Sequence, residues 1–442
     1  MELQGQRIIV VGLGKSGIAA ARLCHERGAS VLGTDKAPLE QVAPEATQLG
    51  IELRTGGHDA VRFTEADLVV VSPGVPAFPA LELAERAGVE VIGELELACR
   101  FLTAPVVAIG GTNGKSTTTT LVGGLLKAAF SRVFVGGNLG EPAATAVGQE
   151  WDAVVLEVSS FQLERAPLFR PRVSVLLNVT DDHLDRYPSF ALYADAKGNA
   201  FVNQEPGDVA IVPFGDAVCE EQARRGRGER VTFGTAGDYA VESGAVVEAR
   251  TGERFELGRA KLHGTHNHTN AAAAVAAARA LGTGSSAVTE GLERFEPLPH
   301  RMAFAGEIRG VRCYDDSKGT NVGAAVTALL GLSEPRGVLI AGGRDKQGSY
   351  EPLVAALRER GRAVVLLGEA ADRIFAAIGG ALPTEYAADM QDAVRRALRL
   401  AEPGDAVLLS PACSSFDMFA SYADRGDRFV EAVKALATEA RA

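Results

Sequence analysis

Residues 105–120, PVVAIGGTNGKSTTTT, decide how the rest of the chain is read. The apolar run Val106 to Ile109 is short enough for a buried strand. It breaks at Gly110-Gly111 before a Ser/Thr-rich segment that turns apolar with helical spacing from Leu121. The pattern is strand, glycine loop, helix. In such a turn the successive backbone N–H groups of Gly111, Thr112, Asn113 and Gly114, and the helix N-terminus at Lys115, Ser116 and Thr117, face one point. Lys115 can neutralise phosphate oxygens there and the Ser116 hydroxyl can complete a magnesium shell, so the expected ligand is Mg-ATP. The general pattern G-x-x-x-x-G-K-[ST] asks for glycine where this chain has Ile109, leaving the shorter loop G-G-T-N-G-K-S. An ordinary glycine turn with a solvated lysine is the bland alternative.

The surrounding chain has 442 residues, more than one core holds, and its length suggests about three domains. A net charge of −11 argues against general nucleic-acid binding while leaving room for a local basic cleft. The five cysteines are scattered and form no C-x-x-C, which fits a reducing cytosol better than a disulfide framework or a zinc knuckle. The N-terminus enters a strand directly and no apolar run reaches membrane-spanning length, so a cytoplasmic protein without a membrane span is expected.

Upstream of the loop, a strand from Arg7 to Val11 runs into G-L-G-K-S-G, then a helix from about Ile18 to Arg27 and a second strand ending at Asp35. Gly12, Gly14 and Gly17 match G-x-G-x-x-G, and Asp35 stands close to where a dinucleotide site keeps its ribose-binding acid. A strand ending in Ser72-Pro73-Gly74, a helix from Leu81 to Ala87 and a strand from Val89 to Ile92 complete a small Rossmann-like domain over residues 1–94. Taken alone it suggests NAD; glycines serving only tight packing are the alternative.

Downstream, WDAVVLEV (151–158) is an apolar strand with Glu157 near its end, well placed to hold magnesium beside Ser116 or to be a satisfied structural carboxylate. A strand from Val173 to Val179 leads into TDDHLDRY (180–187), where His183 could ligate a metal, contact phosphate or sit in a solvated acidic loop. Lys197 lies on the following helix. The H-x-x-H-x-H at His263, His266 and His268 reads as a loop before an alanine-rich helix, with asparagines available to meet a base edge. The proline-broken GLERFEPLPHR (291–301) marks a boundary, giving a central domain over 95–298 and a C-terminal one over 299–442. In the latter, strands ending at Asp315, Ala341, Leu367 and Leu409 have polar or glycine-rich ends, which nominates Lys318, Lys346 and Ser415 for a crevice.

Taken together, GTNGKS (111–116), GGN (136–138), LEVSSFQLE (156–164), LNVTDDHLDRY (177–187), AK (196–197), HNHTNAAAA (266–274), LPHR (298–301), DDSKGTN (315–321), GGRDK (342–346) and SPACSSFDMF (411–420) resemble the Mur ligase family over nearly the whole chain. The fold implied is α/β in three domains: N-terminal Rossmann-like and UDP-binding, central P-loop ATPase-like, C-terminal Rossmann-like. The resemblance points to the branch that uses ATP to join D-glutamate to UDP-MurNAc-L-alanine in cytoplasmic peptidoglycan precursor synthesis, by a monomer acting on small molecules only. It implies catalytic roles for Lys115, Glu157, His183 and Lys197, with Asn267, Asn270, Arg301 and Asp316 joining residues 111–117 on ATP. Ser116, Glu157, His183 and a carbamylated Lys197 are implied for two Mg2+ ions. Gly14, Lys15, Ser16, Asp35, Lys36, Gly74, Asn138, Ser159, Gln162 and His183 are implied for the UDP-sugar, and Lys318, Thr320, Lys346, Ser415 and Tyr422 for D-glutamate. Three positions depart from the family pattern: Gly110 for threonine, Tyr422 for phenylalanine and Ser349 for aspartate.

Other readings leave residues idle. A sister ligase adding a diamino acid usually carries D-N-P-R, absent here, and folylpolyglutamate synthase lacks a GLGKSG domain. An NAD-dependent oxidoreductase gives no task to Lys115, Glu157 and Lys197, and a non-catalytic ATP switch none to the C-terminal lysines and serine.

Overall fold

The computed structural model describes residues 1–182, 186–262, 264–345 and 348–440, and its strands form three sheets. The first has five parallel strands in the order Glu52–Thr55, Ser30–Asp35, Arg7–Val11, Leu68–Val71 and Glu90–Gly93. The helix after its central strand spans Lys15–Glu26, one turn earlier than the apolar pattern suggests, because its first turn is polar and exposed at Lys15. A Cβ on Gly17 would lie 1.7 Å from the Gly12 carbonyl oxygen, so this glycine serves close packing of helix on strand.

Nine strands build the middle sheet, with Val106–Gly110 between Val173–Leu176 and Ala153–Glu157 and parallel to both. Burial on both faces explains the unbroken apolar run that sequence reading found there. The strand at Val173 ends at Leu176, short of the expected Val179, where the chain turns to meet the glycine loop. The alanine-rich helix Thr265–Ala280 packs on the helix Lys115–Lys127 and under the sheet, and every residue from Ala271 to Ala278 is buried. His266 and His268 lie within its first turns, not in a preceding loop. The helix starts at Thr265 because Gly264, at φ +87°, turns the chain into it.

The C-terminal sheet has six strands, ordered Ala303–Ile308, Val311–Asp315, Ala406–Leu409, Gly337–Gly342, Gly361–Leu367 and Thr384–Tyr386, with the first antiparallel to its neighbour. The four anticipated strands are the central ones. Both edge strands escape sequence reading, one through a bulge between Phe304 and Gly306 and the other through its three-residue length. Among the described residues, no helix is long and apolar enough to cross a membrane.

The first and middle sheets share a hydrophobic core in which Leu3, Ile8, Val10 and Leu68 meet Ala143, Val154, Leu156 and Phe169. Glu94 sits where the chain passes from one sheet to the other. Its Oε1 accepts a 2.6 Å hydrogen bond from Ala144 N–H, while Oε2 is buried without a partner. Burial raises the Glu94 carboxyl to about 7, against the hydrogen bond from Ala144. A raised carboxyl favours folding while protonated, and that contribution fades as pH rises through about 7. Glu94→Gln is therefore expected to flatten the loss of unfolding free energy between about pH 5 and about pH 8, by up to about 3 kcal/mol. Urea denaturation at both pH values checks this, and an unchanged slope would contradict it.

Candidate active site

The glycine loop at the end of Val106–Gly110 is held by a second loop that follows Val173–Leu176. Thr112 N–H donates to the Asn178 carbonyl at 3.0 Å, and Asn113 N–H donates to Asn178 Oδ1 at 2.9 Å. Asn178 Nδ2 returns a bond to the Asn113 carbonyl at 3.1 Å. Gly111 and Gly114 take φ of +138° and +83°, and a Cβ on Gly114 would come within 2.6 Å of Asn270 Oδ1. Glycine there admits Asn270 to the loop. Asn270 in turn donates to Asn267 Oδ1 at 3.0 Å, so the first turns of the alanine-rich helix deliver both asparagines to one place.

Two lysines converge on one carbonyl. Lys115 Nζ donates to the Gly111 and Thr112 carbonyls at 2.9 and 2.8 Å, and Lys197 Nζ donates to the same Gly111 carbonyl at 2.8 Å. Lys197 projects from the helix Phe190–Val202 and lies 4.5 Å over the Tyr193 ring. Burial, reinforced by neighbouring Lys115, pushes the Lys197 amine well below the usual lysine range. Burial also lowers Lys115, opposed by the charge of Glu157.

Glu157, buried at the end of Ala153–Glu157, accepts a 2.8 Å hydrogen bond at Oε1 from Asn138 Nδ2, and its Oε2 has no hydrogen-bond partner. Nearby, Arg301 Nη2 donates to Ser116 Oγ at 2.5 Å. A buried carboxylate oxygen beside a hydroxyl is the hard oxygen donor set that suits magnesium. Among the described residues there is no group of three or more His, Cys, Asp or Glu side chains placed to hold a metal.

A cleft of about 640 Å3 opens above the loop. Thr112 to Thr117, Asn138, Glu157, Asn267 and Asn270 line it from the middle sheet, and Arg301, Asp316, Lys318, Thr320 and Tyr422 from the C-terminal side. Asp316 follows the strand Val311–Asp315, and its Oδ2 accepts from Ser410 Oγ at 2.7 Å. Burial raises its carboxyl to about 7, against the Ser410 bond and the charge of Arg301. Lys318 Nζ stands 3.8 Å over the Tyr422 ring, a cation–π contact that the tyrosine keeps as a phenylalanine would.

The remaining nominated residues lie elsewhere. Lys197 is beneath the loop and does not line the cleft. Ser415 is buried in the loop after Ala406–Leu409, outside the cleft lining. Ser159 and Gln162 form a reciprocal capping box on the short helix Ser160–Leu163. Gly14, Lys15, Ser16, Asp35, Lys36 and Gly74 cluster at the C-terminal ends of the first sheet. There both Asp35 oxygens accept backbone N–H groups, from Leu13 at 2.6 Å and Ala37 at 2.9 Å. Lys15 reaches the middle unit, donating to the Gly140 carbonyl and Glu141 at 3.3 Å each. His183, His263 and Lys346 fall outside the described residues. Sequence reading quoted Asn178 within LNVTDDHLDRY but gave it no task; its position beside an acidic loop was the available signal.

Three family descriptions match the chain: "Mur ligase MurD-like, N-terminal domain" over residues 6–93, "Mur ligase middle domain" over 109–278, and "Mur ligase, glutamate ligase domain" over 300–413. The chain is 48% identical to the UDP-N-acetylmuramoylalanine--D-glutamate ligase of Anaeromyxobacter dehalogenans, over 99% of this chain and 98% of that one. It is 45% identical to the protein of the same name from Geobacter metallireducens, over the full length of both. Among solved structures, the fold is similar to UDP-N-acetylmuramate-alanine ligase MurC of Thermotoga maritima, with TM-score 0.60 and 21% identity over 98% of this chain and 100% of that one. It is also similar to MurF ligase of Thermotoga maritima in complex with ADP, with TM-score 0.62 and 18% identity over 99% and 96%.

The double tie through Asn178 makes it a support of the glycine loop. Asn178→Ala is expected to weaken ADP binding about tenfold while the circular dichroism spectrum stays unchanged. Titration calorimetry measures this, and wild-type affinity in the variant would show that the loop holds its shape without the tie.

Proposed function

The chain belongs to the Mur ligase family; it is an ATP-dependent, amide-bond-forming ligase that adds D-glutamate to UDP-N-acetylmuramoyl-L-alanine in peptidoglycan synthesis, and we propose that it does so through an acyl phosphate. The observation that carries the mechanism is the single cleft in which the glycine loop, Glu157 and Asn138 of the middle sheet face Arg301, Asp316 and Lys318 of the C-terminal unit.

In this reading residues 1–94 bind UDP, 95–298 bind ATP and 299–442 bind the amino acid, in a monomer of the cytoplasm. Within residues 111–117 the N–H groups from Gly114 to Thr117 and the Lys115 amine hold the ATP phosphates, those of Thr112 and Asn113 being taken by Asn178; Asn267 and Asn270 approach the nucleoside, and Arg301 and Asp316 contact the nucleotide from the other wall. The UDP-sugar extends from Gly14, Lys15, Ser16, Asp35, Lys36 and Gly74 toward Asn138, Ser159, Gln162 and His183. Its terminal carboxylate oxygen attacks the γ-phosphorus and ADP leaves. The amine of D-glutamate, placed by Lys318, Thr320, Lys346 and Tyr422 and supported by Ser415 from its buried loop, then attacks the acyl carbon. The amide C–N bond forms, the C–O bond to phosphate breaks, inorganic phosphate leaves, and the amine gives up a proton. Lys115 and Arg301 offset the negative charge that collects in both steps.

Ser116 and Glu157 would hold one magnesium, and His183 with Lys197 a second. Bound there, the metal withdraws charge from phosphate oxygens. For Lys197 the support is its buried, readily neutral amine. A neutral amine nitrogen can bond to CO2 and lose a proton, which turns a cation into a carbamate anion.

Phosphate release with Mg-ATP and UDP-MurNAc-L-alanine is expected with D-glutamate, and not with L-glutamate, L-lysine, meso-diaminopimelate or no amino acid. Release with another of these would overturn the amino-acid assignment. Lys197→Ala is expected to lose nearly all activity and to regain part of it with a short carboxylic acid added; full activity of the variant would refute the carbamate.

A further inference from the structure

The helix Val322–Leu330 bridges the C-terminal unit and the middle sheet at both of its ends. At its start, Asn321 has two tasks. Its Oδ1 caps the helix by accepting Ala324 N–H at 2.7 Å. Its Nδ2 crosses the cleft to donate to Asp182 Oδ2 at 3.1 Å and, more weakly, to Asn113 Oδ1 at 3.4 Å. Asn113 belongs to the glycine loop, and Asp182 to the loop that follows Asn178 and Thr180.

A second observation at the same end is steric. Gly323 stands in the first turn of a largely apolar helix, and a Cβ there would stand 3.3 Å from Asn113 Nδ2 and 3.4 Å from Thr180 Oγ1. Glycine weakens a helix, so its place in the first turn is explained by the approach it permits. At the far end, the Gly331 carbonyl accepts Thr265 N–H at 3.1 Å, and a Cβ on Gly331 would fall 2.4 Å from His266 Nδ1. Between the two ends, Ala324, Thr327 and Ala328 form one wall of the cleft.

We propose that Asn321 is a positioning residue for the ligase reaction: its amide keys the helix Val322–Leu330 to the glycine loop, with Gly323 providing the clearance. This sets where the neighbouring Lys318 and Thr320 present D-glutamate. The proposal rests on the ligase reading above and adds residues outside it. Asn321 touches no reacting atom; it acts by linking the loop that holds phosphate to the segment that holds the amino acid. The two contacts of Asn321 separate by substitution. Serine keeps an N-cap acceptor and is too short to reach Asp182.

The test uses the full chain and two variants, Asn321→Ser and Gly323→Leu, with steady-state kinetics, thermal denaturation and small-angle scattering. Asn321→Ser is expected to melt with the wild type and to lose about tenfold in kcat/KM for D-glutamate, the size of one hydrogen bond to a charged acceptor, with KM for the UDP-sugar unchanged. Gly323→Leu is expected to melt no lower than wild type, because leucine favours the helix. It should nonetheless lose more kcat/KM for D-glutamate and show a larger radius of gyration than wild type. Kinetics within twofold of wild type for both variants, or an equal loss toward the UDP-sugar, would overturn the role of Asn321. A wild type that releases no phosphate with D-glutamate would instead overturn the ligase reading, and the scattering comparison would then decide the bridge by itself.

Discussion

The carbonyl of Gly111 accepts hydrogen bonds from two lysines, half-buried Lys115 on the helix the glycine loop opens and buried Lys197 on a helix contributed some eighty residues later. Burial pushes both amines toward their neutral forms, and the charge of Lys115 adds to the effect on Lys197. That constraint organises the rest of the site. It needs a loop whose Gly111 carbonyl faces both lysines, a turn that Gly111 makes at φ +138°. It also needs acids close by, and Glu157 and Asp182 both raise the lysines toward protonation.

The three sheets meet this site with different stiffness. The first two share one apolar core, so the crevice of the first is fixed relative to the glycine loop by burial. The C-terminal unit meets the loop through polar contacts, Arg301 on Ser116 and Asn321 on Asp182, and through a helix whose glycines allow close approach. Polar contacts of this kind exchange with water at little net cost, whereas separating a shared core exposes apolar surface. Any relative movement is therefore cheapest at the C-terminal unit.

Much of this was legible in the sequence because it is local. The apolar run at Val106 to Ile109, the glycines and Lys115 define strand, loop and helix within sixteen residues, and the motifs of the other domains resemble one family in one order. What escaped was set by contacts between distant residues. Asn178 holds the loop from 65 positions away, and Arg301 reaches Ser116 across 185. Asp35 shows what spacing leaves out: its distance from the glycines nominates a ligand contact, and the structure adds that both oxygens hold N–H groups of Leu13 and Ala37. Apolar periodicity starts only after His266 and His268 and so suggests a loop for them, but a helix can begin with polar turns, as this one does at Thr265.

The shared core also bears on how the chain is made. Leu3, Ile8 and Leu68 leave the ribosome long before Val154 and Phe169, with which they are buried. A growing chain therefore exposes one apolar face of its first sheet until roughly a hundred further residues have emerged, at synthesis rates of about 5–20 residues per second. For several seconds of each synthesis that face is open to chaperones and to other nascent chains. The acidic balance of the chain, by keeping copies apart, acts during those seconds as much as in the finished molecule.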